Sequence, residues 1–63
     1  LEELDMKNQL QIKKKNGGYT ITAIDGYAEK IIASLVDNEK DALQFARLYD
    51  ANNMSKEYTI VVI

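Results

Sequence analysis

Residues 37–52, DNEKDALQFARLYDAN, place Ala42, Phe45, Ala46 and Tyr49 at the i, i+3, i+4, i+7 spacing of one helical face. Leu43 and Leu48 widen that stripe, and Lys40, Gln44 and Arg47 fall on the opposite side. A helix with one apolar face must lie on an apolar floor, and the other apolar runs of the chain read mostly as strands. The pattern predicts an α+β domain in the order β-β-β-α-β, one helix packed on one face of a mostly antiparallel sheet.

The first strand starts near Met6. Met6, Leu10 and Ile12 point one way and Gln9, Gln11 and Lys13 the other, as in a strand with one wet face. Asn16-Gly17 follows, the dipeptide best suited to the positive φ angles of a type I′ hairpin turn. A two-residue loop there sets Lys14 opposite Tyr19, Ile12 opposite Ile21 and Leu10 opposite Ala23. Lys13 then meets Thr20 and Gln11 meets Thr22, so turn chemistry and side-chain pattern agree on one register.

The second strand, residues 19–24, ends at Asp25-Gly26, where two readings compete. A three-residue loop of Ile24, Asp25 and Gly26 returns the chain as a third strand, with Tyr27 opposite Ala23, Glu29 opposite Ile21 and Ile31 opposite Tyr19. Ala33 and Leu35 continue that inward row. Alternatively Asp25 caps a helix with Ala28, Ile31, Ile32 and Leu35 as its stripe, giving β-β-α-α-β. The strand is preferred because a turn signal precedes it and an independent helix start follows. Asp37 is the expected N-cap of that later helix, Glu39 and Asp41 suit its positive end, and Asn52-Asn53 suits a left-handed exit. After a connection over residues 54–57 the chain runs Tyr58-Thr59-Ile60-Val61-Val62-Ile63, apolar on both faces. Such strands are normally covered on both, and one helix covers only one.

With 63 residues the chain is one domain at most, and so small a domain buries only about 60% of the surface its unfolded chain exposes. It contains neither cysteine nor histidine, so disulfides and the usual zinc ligand sets are excluded as staples. Oligomerisation is the remaining common aid, and a homodimer is expected. The net charge of -2 implies no basic or nucleic-acid-mimicking role. No apolar run approaches a membrane span and no signal-peptide pattern opens the sequence, so the expected location is cytoplasmic, away from membranes. Residues 1–5 read as a non-native or disordered leader, with a helical turn as the competing reading, and residues 6–63 as the domain.

Chemistry is sparsely signalled. Ser34 and Ser55 have no visible base, no glycine-rich phosphate fingerprint is present, and acid–base work falls to Asp, Glu, Lys or Tyr alone. No catalytic residue, cofactor or metal is expected. Asp25, Asp37, Glu39 and Asp41 could be drawn as an oxygen-ligand metal site, but helix capping accounts for Asp37 and Asp41. Lys13, Lys14 and Lys15 beside the Gly17-Gly18 tip, with Tyr19 and Lys30, could contact phosphates and stack a base. The competing reading is that lysines keep a strand end soluble and discourage edge pairing.

The expected function is a small protein-interaction module that self-associates through Tyr58, Ile60, Val61, Val62 and Ile63 or through the outer sheet face. The alternatives are a nucleic-acid-binding accessory protein using the lysine tip, and an inhibitor that adds its edge strand to a protein target. The succession of a Gly18-Tyr19 strand, an Asp25-Gly26 turn and a Glu39-Lys40-Asp41-Ala42-Leu43 helix resembles small antitoxin domains of the HicB type. The similarity covers topology and these residues, the proline-containing motif of that family is missing, and no function is carried over.

Overall fold

The computed structural model describes residues 8–63. Strands β1 (Asn8–Lys15), β2 (Gly18–Asp25) and β3 (Ala28–Val36) are followed by helix α1 (Glu39–Asn52) and strand β4 (Tyr58–Val62). The sheet order is β3-β2-β1-β4, with β1–β2 and β2–β3 antiparallel and β4 parallel to β1. The β-β-β-α-β order read from the sequence is therefore the order of the fold. The expectations for residues 1–5 and for Met6 lie outside the described residues.

Asn16 and Gly17 take φ values of 51° and 83°, the paired positive angles of a type I′ turn. Every pairing expected for this hairpin is present, from Leu10 with Ala23 to Lys14 with Tyr19. Leu10, Ile12 and Ile21 are thereby brought onto one face, where they are the largest fully buried side chains.

The second hairpin corrects the expected register. Its loop is the two-residue Gly26-Tyr27, with φ of 65° at Gly26 only, so Ala28 pairs with Asp25 and Lys30 with Ala23. Tyr27 sits in the turn, 93% exposed, and Glu29 points to the outer face opposite Ile24. An inward acid is avoided in this way. Two irregularities, between Thr22 and Ile21 and between Ile21 and Tyr19, then restore apolar pairing by setting Ala33 opposite Ile21 and Val36 opposite Tyr19. Leu35, expected to face inward, lies in the second of them with φ of 57° and 72% exposure.

Helix α1 covers the inner face. Ala42 and Ala46 have no exposed surface, Leu43 and Tyr49 pack partly against the core, and Phe45 and Leu48 lie largely outside it. Two alanines at the contact let the helix axis approach the sheet closely. The N-cap is Asn38, one residue beyond the expected Asp37: its side chain accepts from the Asp41 amide at 2.8 Å and donates to the Asp41 carboxylate at 3.3 Å. Only from that position does a cap side chain reach the third helical amide. The exit is not left-handed either, since Asn53 has φ of -106° and ends the helix by donating from its side chain to the Tyr49 carbonyl at 2.8 Å.

Two substitutions probe this packing. A Cβ at Gly18 would stand 2.8 Å from Cα of Leu35, so Gly18→Ala should cost about 1–3 kcal/mol although its φ is not positive. Ala46→Leu should cost a similar ~1–3 kcal/mol by lifting the helix. Chemical denaturation reads both, and a variant as stable as the parent would contradict the corresponding close approach.

Candidate interaction surface

Strand β4 lies at one margin of the sheet, and among the described residues no strand flanks its other side. A short run of residues apolar on both faces thus forms an edge of the sheet. The Ile63 amide donates to the Ile12 carbonyl at 2.9 Å, which fixes the phase of the ladder. In a parallel pair successive residues turn their backbone groups alternately to the neighbour and away from it. Thr59, Val61 and Ile63 therefore face β1, and Tyr58, Ile60 and Val62 present N–H and C=O groups at the open edge. The Tyr58 amide is already engaged, donating to the Asp50 carboxylate at 3.0 Å.

The five C-terminal residues singled out from the sequence do not form one patch. Tyr58 is buried, its ring meeting that of Tyr49 edge-on at 5.6 Å, and Ile60 packs against the core. Val62, on the same face but near its margin, is 46% exposed. Val61 is half-buried on the outer face, and Ile63 is 63% exposed. Across that outer face Val61 aligns with Gln11, Thr22 and Ile31, and Thr59 aligns with Gln9, Ile24 and Glu29. These two rows hold a single charge, Glu29, at the β3 margin.

The lysine tip is exposed, and of its proposed companions Tyr19 pairs with Lys14 while Lys30 lies elsewhere. Lys13 and Lys15 point to the outer face and Lys14 to the inner, by the alternation of β1. Tyr19 packs partly against the core, which limits it as a stacking platform. Lys30 pairs with Ala23 toward the other end of the sheet, where it borders a cleft of about 250 Å³ lined also by Asp25, Tyr49, Asn53, Lys56 and Tyr58. Lys56 and Asp25 form an ion pair across that cleft. Among the described residues no group of three or more acidic side chains is placed to hold a metal ion, and no helix is long and apolar enough to cross a membrane.

Asp50, Asp25 and Lys56 were not singled out by sequence reasoning as parts of this surface. For Asp50 a readable signal exists: an acid in the last turn works against the helix dipole, and the last turn of α1 has no basic residue. A side chain misplaced for its own helix is bonded instead to the next strand. No family model, curated protein or solved structure matches the chain.

Burial raises the Tyr58 phenol above its ordinary value of 10.0, and the hydrogen bond to Asp25 raises the Lys56 ammonium above 10.5. Both shifts favour the protonated form in the folded chain. Their contribution to stability is complete below the unfolded values and is lost as pH rises through the raised folded values. Stability measured by denaturant midpoint should therefore fall above about pH 10. Tyr58→Phe should shallow that fall, and an unchanged alkaline slope would contradict the raised Tyr58 value.

Proposed function

We propose that this chain is a small, non-catalytic protein-interaction module that associates with a second copy of itself through the β4 edge. The observation that carries the reading is the difference between the two margins of the sheet. β3 departs twice from regular pairing and holds Leu35 at a positive φ, and bulges of this kind turn an edge away from further pairing. β4 pairs regularly along its whole length with β1 and contains no bulge, proline or charged side chain, so it lacks the features by which edges are usually protected.

The small core supports the same reading. Its fully buried large side chains are Leu10, Ile12 and Ile21, while Val62 stays exposed on the same face. Joining two edges would cover that apolar margin and extend the inner-face core into the neighbouring subunit.

Light scattering coupled to gel filtration at high micromolar concentration should give twice the mass of one chain. Val61→Lys should give a single-chain mass with an unchanged circular dichroism spectrum. A clean monomer for the parent protein would overturn the proposal, as would a Val61→Lys variant that is folded and still dimeric.

A further inference from the structure

Resting on that reading, we infer that two copies pair β4 to β4 in antiparallel fashion about a two-fold axis at Val61, with Ile60 opposite Val62 of the partner subunit. A closed homodimer uses the same patch on both copies, and two edge strands related by an axis normal to the sheet run antiparallel. Only residues whose backbone groups face the open edge can form the bonded pairs, so Ile60 and Val62 must meet Ile60 or Val62 of the other chain.

Asp50 selects among the remaining registers. An axis at Ile60 would set Tyr58 opposite Val62 of the partner subunit and require the Tyr58 amide, which the Asp50 carboxylate already holds at 3.0 Å. Among the described residues an axis at Val62 forms one bonded pair, Val62 with Val62 of the partner subunit. An axis at Val61 pairs Ile60 with Val62 on either side of it, and each such pair exchanges both N–H···O bonds. The two Val61 side chains then meet on the outer face, and Ile60 and Val62 meet on the inner face that α1 covers.

Residues 58–63 carry no charged side chain, so nothing repels at the axis.

The chain has no cysteine, which allows a clean cross-linking test. Directly opposed residues of a non-bonded antiparallel pair have Cα atoms about 4.5 Å apart, within disulfide reach. Val61→Cys should therefore form a disulfide-linked dimer under mild oxidation. Thr59→Cys, on the same face but about 13 Å from its symmetry mate, should not. Val62→Pro removes an edge-facing donor without touching the ladder to β1, so it should give a folded monomer. If the parent is dimeric but Thr59→Cys or Ile24→Cys cross-links in place of Val61→Cys, or if Val62→Pro is folded and still dimeric, this register is wrong while self-association stands. A parent protein that is monomeric at high micromolar concentration overturns both.

Discussion

A single helix resting on a four-stranded sheet is the constraint from which the other features follow. A helix is about 10 Å across with its side chains and neighbouring strands are about 4.8 Å apart, so α1 can shield roughly two strands and no more. Ala42 and Ala46 set it down closely over the inner face, where Leu10, Ile12 and Ile21 are closed off from water. Those three residues belong to the central pair, β1 and β2. The outer strands receive partial cover: Tyr58 belongs to the core and Ile60, Ile32 and Val36 pack against it, while Val62 stays open on the same face.

Each margin answers that shortage differently. On the β3 side the chain bends, with two irregular pairings and a leucine in the left-handed region, a conformation that costs roughly 1–2 kcal/mol outside glycine. Close contact between Gly18 and the Leu35 backbone holds the bend in place. On the β4 side the strand stays straight and short, and the helix reaches over its first residue by way of Asp50. One edge is twisted out of use and, among the described residues, the other is left available.

Much of this could be read from the residues, because local and long-range signals agreed. Asn16-Gly17 admits few turns, and alternation in the flanking strands allows one register, so the first hairpin was legible pair by pair. The third strand was legible as a strand but not in register. Asp25-Gly26 suits loops of either two or three residues, and the irregularities that bring Ala33 opposite Ile21 and Val36 opposite Tyr19 answer to packing that no local signal records. Asp37 and Asn38 are both good caps, and only the start of the helix decides between them. The C-terminal strand shows a different limit. Apolar residues on both faces describe an interior strand and an uncovered edge equally well, so the pattern does not separate Tyr58, which is core, from Val61, which faces outward. Charge alone links Lys30 to the lysine tip, and the strand direction places it toward the opposite end.

Amide hydrogen exchange along β4, followed as protein concentration is raised, addresses the open edge most directly. At dilution Thr59, Val61 and Ile63, which bond to β1, should be protected, as should Tyr58 through Asp50, while Ile60 and Val62 exchange rapidly. At high concentration Ile60 and Val62 should slow together. Protection of those two amides at dilution, or exchange that ignores concentration, would contradict an edge that is free in one subunit and filled by a second.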